Sequence, residues 1–202
     1  MMDASGKKFG KSEGNAIWLD QRKNSPYFVY QYFLNSADAD VEKFLRAFTL
    51  LEISEIEEIV AKHHEKPESR YGQRQLANYV IQTLFGKQAA EQAEKITDFL
   101  FGSEDKMQML NEFSREEIQA LARETGSCEL NENEIRVLEL LVKCGISESN
   151  GDAKKLIAQG AIYVNENKIS DIASSFSTQD ASNGVLLIRK GKKNYKIAQF
   201  IA

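Results

Sequence analysis

Along most of the chain, apolar residues return every three or four positions, and only near the end does the interval shorten to two. Ser25-Pro26 predicts the first helix: a serine hydroxyl caps free amides, and proline at the first helical position lacks only a bond that would not form there. It should run to about Leu34, where the polar stretch 35–40 breaks it. Val41, Phe44, Leu45 and Phe48 then fall at i, i+3, i+4 and i+7, one face of a second helix. Ser54-Glu55-Ile56-Glu57 reads as a capping box, with Ile56, Ile59 and Val60 on the buried face behind it. Pro67 ends that helix after His64. Over residues 68–85 the apolar face is Leu76, Tyr79, Val80 and Leu84, Gly86 is the stop, and a further helix follows over about 88–101.

Between residues 102 and 133 the pattern thins. A weak capping box at Ser114 to Glu117 precedes a short apolar face of Ile118 and Leu121, and the rest has the composition of a linker. Beyond it, Ile135, Leu138 and Val142 predict a helix that stops at Gly145, with Ile146 in the apolar position of a Schellman cap. A second helix over about 151–159 stops at Gly160. The period then changes to two. Tyr163 alternates against Ile162 and Val164, Asn165-Glu166-Asn167 turns the chain, and 185–190 and 194–200 flank Gly191-Lys192-Lys193 as a hairpin. The expected class is α+β, a mainly helical domain over 24–102 followed by a small domain over 134–202. The small domain combines two helices with a small twisted, mostly antiparallel sheet. Residues 1–23 form a loop and connector, and 103–133 a linker with a short helix.

With 202 residues, 42% of them apolar, the chain can bury one sizeable core or two small ones. No apolar run approaches the roughly 20 residues that span a bilayer, and no signal-peptide pattern opens the chain, so a cytoplasmic protein is expected. Cys128 and Cys144 have neither metal-site spacing nor disulfide-scaffold density, and are expected as reduced thiols. Adjacent histidines on a helix point about 100° apart, and no cysteine or third histidine joins His63-His64, so no metal site is predicted. The net charge of −4 hides an asymmetry. Residues 1–30 carry 5 Lys and Arg against 3 Asp and Glu, residues 31–133 carry 11 against 20, and residues 134–202 carry 10 against 7. A polyanion is therefore expected at the two ends, with the acidic middle reading bases or keeping the chain in solution.

The basic N-terminal stretch contains the candidate chemistry. In Lys7-Lys8-Phe9-Gly10-Lys11-Ser12 a glycine lets the backbone bend between the ammonium groups of Lys8 and Lys11, and a hydroxyl follows. Such a loop can neutralise the charge that builds up on a departing polyphosphate. Lys8-Phe9-Gly10-Lys11-Ser12 resembles the signature loop of class I aminoacyl-tRNA synthetases, in the form typical of bacterial tyrosyl-tRNA synthetases. Glu13-Gly14-Asn15-Ala16-Ile17-Trp18-Leu19-Asp20, Ser25-Pro26-Tyr27, Tyr30-Gln31-Tyr32 and Asn35-Ser36-Ala37-Asp38-Ala39-Asp40-Val41 follow the same family in unbroken order. At the other end, Gly145-Ile146-Ser147, Ala153-Lys154-Lys155-Leu156-Ile157, Gly160-Ala161-Ile162-Tyr163-Val164-Asn165 and Lys168-Ile169 resemble the S-four-like RNA-binding domain. A departure from that pattern is Ser149-Asn150-Gly151, where many relatives carry one or two more basic residues.

The resemblance implies a C-terminal portion of a tyrosine–tRNA ligase: signature loop, helical anticodon-binding domain and S-four-like domain. It implies Lys8, Lys11 and Ser12 as the catalytic set, with Lys11 also on ATP. Asp38, best matched to the family's anticodon aspartate, accepts from a guanine edge. Lys154, Lys155, Arg189, Lys190, Lys192 and Lys193 are implied as tRNA contacts. Asp38 and Asp40 are equally placed to cap the second helix, and Tyr30 and Tyr32 either stack on bases or belong to the core. Mg-bound ATP and tyrosine are implied as substrates of the parent enzyme, with no cofactor held by this portion alone. Further implied are tRNA(Tyr) as partner, a homodimer formed through the catalytic domain, and no membrane. The other half of the class I signature, a His-x-Gly-His segment, is not in this sequence, so the portion alone is expected to be inactive. An RNA-binding adaptor with an S-four-like module is the alternative, but it has no use for the N-terminal loop. A tryptophanyl relative is not expected to carry the S-four-like end.

Overall fold

The computed structural model describes residues 17–201 and divides the chain into two compact units, Met1–Lys95 and Ile96–Ala202. In the first, α1 (Pro26–Leu34), α2 (Val41–Phe48), α3 (Ile53–Glu65) and α4 (Tyr71–Phe85) are joined by the start of α5 (Lys87–Phe101). Ser25 caps α1 as its sequence predicts, accepting from the Phe28 N–H at 3.0 Å. The capping box of α3 lies two residues upstream of the predicted one. It is built from Glu52 and Glu55, with the Glu52 N–H donating to the Glu55 carboxylate at 2.9 Å. A carboxylate accepts a free helix amide as well as a hydroxyl does, so the same three-residue spacing works one half-turn earlier.

Val29, Leu45, Leu76 and Ile81 are wholly buried here, and Phe33, Phe44 and Phe48 meet edge to face around them. Each such side chain contributes about 1.5–3 kcal/mol by leaving water. Tyr30 belongs to this core, with no exposed surface, which removes it from base stacking; Tyr32 is half-buried against Phe33.

The second unit is organised on a five-stranded sheet in the order β1-β7-β6-β3-β4. The strands are β1 (Ser127–Leu130), β3 (Ile162–Val164), β4 (Asn167–Lys168), β6 (Val185–Lys190) and β7 (Asn194–Phe200). Only β1 on β7 is parallel. A separate pair joins β2 (Glu134–Arg136) to β5 (Ser175–Ser177). The chain is therefore α+β, as expected. The Asn165-Glu166 turn has positive φ at both residues, the mirror-image geometry that two-residue hairpins favour.

Alternation along β6 and β7 sends side chains to both faces. Leu186, Ile188 and Ala198 join the core under α8 (Val137–Lys143) and α9 (Asn150–Ala158). Val185, Leu187 and Ile197 point the other way and are just as buried. The helices α6 (Lys106–Asn111) and α7 (Arg115–Thr125), with buried Leu110, Phe113, Ile118 and Leu121, supply the second layer, and α7 packs on β7. Asn183 fastens it by donating to the carbonyls of Leu110 and Phe113 at 3.1 and 2.7 Å. Residues 103–133, expected as a linker, are thus a structural layer plus an edge strand. The predicted Ser114–Glu117 capping box is present within them.

Both predicted helix stops in this unit are Schellman turns. Ile146 N–H donates to Leu141 O at 2.9 Å and Gly145 N–H to Val142 O at 2.9 Å, with Gly145 at φ 65°. Ala161 and Gly160 repeat the pattern after α9. Ile135 departs from its predicted helix and pairs with Phe176 in the β2–β5 ladder. Cys128 and Cys144 also depart from expectation: they form a disulfide, their Cα atoms 5.0 Å apart. Edge strand β1 and the end of α8 meet over the same core, an adjacency that a separation of 16 residues does not announce.

Candidate nucleic-acid interface

Lys8, Lys11 and Ser12 lie outside the described residues. The other predicted positions fall at two places, one in each unit. In the first, Asp38 opens a single 3-10 turn, Asp38–Asp40, between α1 and α2. Its side chain is 60% exposed, yet one oxygen is held from within. Gln73 of α4, fully buried, donates to Asp38 Oδ1 at 2.6 Å, and Nε2 of the fully buried His63 on α3 stands 3.3 Å from the same oxygen. The His63 contact is close enough for an ion pair but off the line of a hydrogen bond, and neither ring nitrogen has a hydrogen-bonding partner. Neither Asp38 nor Asp40 caps a helix with its side chain; Asp40 is the N-cap residue of α2 but is buried. The capping role open to both aspartates is therefore not taken up.

The remaining predicted positions lie in the second unit, on α9 and around the turn between β6 and β7. Lys154 and Lys155 project from the exposed side of α9, which begins at the Ser149 cap. Lys192 and Lys193 occupy the exposed turn between β6 and β7, and Lys193 Nζ lies 5.6 Å from the Phe101 ring centre. Arg189 and Lys190, predicted beside them, are engaged within the unit. The Arg189 guanidinium stacks 3.8 Å from the Tyr163 ring centre, forms an ion pair with Glu166 at 2.9 Å and donates to Gly191 O at 2.6 Å. Burial works against its charge, but the Glu166 carboxylate outweighs that and raises its pKa. Lys190 donates to Ile146 O at 3.1 Å, tying the hairpin to the loop before α9.

Register explains why these groups meet. Lys168, Tyr163, Arg189 and Tyr195 are successive cross-strand partners from β4 to β7, so their side chains share one face. Behind them Lys106 donates to Phe99 O, and its ammonium sits over the Phe99 and Tyr195 rings at 5.5 and 5.6 Å. Burial lowers the Lys106 pKa; burial, then the nearby Glu166 charge, raises that of Tyr195. Sequence reasoning finds the cations but not this sorting, because Glu166 reads only as a turn residue. It likewise misses His63 and Gln73 beside Asp38. The sole hint is two polar residues in otherwise apolar-facing helices.

Among the described residues, no group of three or more His, Cys, Asp or Glu is placed to hold a metal ion. None of their helices is long and apolar enough to cross a membrane. A groove lined by Arg115, Ile118, Gln119, Asn183, Gly184, Gln199 and Phe200 contains none of the predicted site residues.

Two family models match the chain. Residues 1–102 match the class I tRNA synthetases of the tryptophan and tyrosine group, and residues 117–198 match the C-terminal domain of tyrosine–tRNA ligases. Among curated relatives, tyrosine–tRNA ligase of Streptococcus mutans is 40% identical over 98% of this chain and 47% of its own. That of Ureaplasma urealyticum is 39% identical over 96% of this chain and 46% of its own. The chain thus spans about half the length of the relatives it matches. A solution structure of a tyrosyl-tRNA synthetase C-terminal domain overlaps 49% of this chain and 97% of that domain, at 29% identity and a TM-score of 0.38. With a synthetase model over its first half and a ligase-specific domain over its second, the chain belongs to the tyrosyl-tRNA synthetases of the class I family.

Proposed function

We propose that this chain is the tRNA-binding portion of a tyrosine–tRNA ligase, whose parent enzyme activates tyrosine with Mg-bound ATP and transfers it to tRNA(Tyr). The observation that carries the reading is the presence, in one chain, of an exposed carboxylate set by buried partners and, in the second unit, of the exposed Lys154, Lys155, Lys192 and Lys193. The first suits base-edge donors and the second suits phosphates. Lys154, Lys155, Lys192 and Lys193 contact tRNA phosphates; Arg189 and Lys190 hold the hairpin that presents two of them. Asp38 accepts from a guanine at the first anticodon position.

At the N-terminal end, Lys8 and Lys11 stabilise the negative charge on the leaving pyrophosphate, with Ser12 assisting, and Lys11 also contacts ATP. No side chain in this portion acts as nucleophile or base. The parent is a cytoplasmic homodimer assembled through its catalytic half. The isolated 202-residue chain activates no tyrosine and holds no cofactor, because the loop has no pocket to align both substrates.

Tyrosine-dependent pyrophosphate exchange tests the assignment. The isolated chain should give background exchange. In the parent, Lys11→Ala should cost about 3 kcal/mol of transition-state stabilisation, roughly 100-fold in adenylate formation, with tyrosine binding nearly unchanged. Equal losses in binding and rate would remove Lys11 from the leaving-group role.

A further inference from the structure

Three elements converge on one carboxylate oxygen, and two of them bring side chains that are fully buried. Gln73 enters from α4 and gives its N–H to Asp38 Oδ1, with Ser36 O a second, longer partner at 3.4 Å. His63 enters from α3, facing the same oxygen. The space for its ring exists because residue 72 is glycine: an added Cβ would lie 2.6 Å from Val41 Cγ1 and 3.1 Å from His63 Cγ. On the far side of each contact a polar atom is left over. Gln73 Oε1 and His63 Nδ1 are buried without a hydrogen-bond partner.

Buried polar atoms without partners destabilise a fold, and apolar side chains of similar size would pack this position at less cost. Their presence needs a reason other than stability. That reason is the carboxylate they face. With Oδ1 engaged from the interior, the rotation of Asp38 is restricted, and Oδ2 has no partner among the described residues on a side chain that is 60% exposed. A fixed acceptor discriminates between base edges better than a mobile one, because no ordering cost is left for the moment of binding.

We infer that Gln73 and His63 are positioning residues for nucleotide selection, fixing Asp38 so that its outer oxygen meets the donor edge of a guanine. This rests on the reading of Asp38 given above. Gln73 is the principal holder, through a direct N–H···O bond; His63 limits the rotation of the carboxylate from the other side.

The test is the binding preference of the 202-residue chain for tRNA(Tyr) transcripts carrying guanosine or adenosine at the first anticodon position. Asp38→Ala should lower that preference by roughly tenfold or more. Gln73→Met, which keeps the shape and removes the donor, should lower it by about fivefold. His63→Phe should lower it less, and His63→Gln, which restores a donor, should recover part of the loss. Adding Gln73→Met to Asp38→Ala should change nothing further, since the residue being positioned is gone. Melting temperature separates positioning from folding: Gln73→Met should melt no lower than the unmodified chain. If Asp38→Ala leaves the preference intact, the underlying reading of Asp38 fails. If Asp38→Ala abolishes it while Gln73→Met and His63→Phe preserve it in folded protein, only the positioning role is overturned. Should Gln73→Met fail to fold, His63→Phe with its His63→Gln rescue decides the question alone.

Discussion

The helical first unit and the second unit, built on a small mixed sheet, handle charge in opposite ways. In the first, a single carboxylate oxygen accepts from the fully buried Gln73 and is faced by the fully buried His63. In the second, a cluster of cations is split, with Arg189 and Lys190 consumed by the framework while Lys192, Lys193, Lys154 and Lys155 stay exposed. On the proposed reading the carboxylate discriminates between bases, which calls for one fixed geometry. On the same reading the exposed lysines attract phosphate, which calls only for charge and reach on a flexible stem.

The largest expected effect is one of packing. Leu121→Ala empties a fully buried site in the layer that covers the outer sheet face, and should cost about 3 kcal/mol in the second unit while Asp38-dependent selectivity survives. Chemical denaturation followed by a probe in each unit would detect it; loss in both alike would deny their independence. Next, Glu166→Ala leaves a largely buried guanidinium without its partner and should cost about 2 kcal/mol, whereas Lys192→Ala should cost almost nothing. If the two variants melt alike, the division between framework and free cations is wrong.

A smaller effect sharpens the contrast in binding. Lys192→Ala with Lys193→Ala should weaken matched and anticodon-swapped tRNA equally, and should reduce the log-log salt slope by about 1.5, as for two neutralised phosphates. Asp38→Ala should leave that slope almost unchanged. A shift in anticodon preference caused by the lysine pair would collapse the distinction.

The smallest effect is one of pH. Tyr195 has a raised pKa in the folded state, so its contribution is fully present below the ordinary tyrosine value of about 10 and is lost as pH climbs through the folded value. Thermal melts should therefore show the second unit weakening above about pH 10, and Tyr195→Phe should remove that decline. Lys106 works in the opposite sense, since burial penalises its charge until it deprotonates; Lys106→Met should make the alkaline decline steeper.

Local signals were legible in the sequence, and long-range ones were not. The Ser25 cap, the Gly145 and Gly160 stops and the hairpin around Gly191 depend on residues within one turn of each other, and all of them form as read. Residues 103–133 look like a linker because the partners that bury Leu110, Ile118 and Leu121 are strands more than 60 residues downstream. Ile135 keeps helical spacing with Leu138 and Val142, yet pairing with Phe176 outweighs that spacing. The resemblance points to Asp38 and the lysines as candidates, residue by residue. It is silent on Gln73 and His63, because which buried side chain meets which carboxylate follows from helix packing, not from spacing along one helix.

The parallel pairing of β1 with β7 also constrains synthesis. Strand β1 is finished at Leu130, but its neighbour spans Asn194–Phe200, and Ile201 N–H closes onto Leu130 O. A ribosome that has made β1 must add some 64 further residues before that neighbour begins to emerge, several seconds at about 5–20 residues per second. For that interval α7 lacks β7, the strand it packs on. The unit therefore cannot assemble piecemeal from its start. Since β7 lies between β1 and β6, a message truncated before Asn194 lacks the strand that joins them.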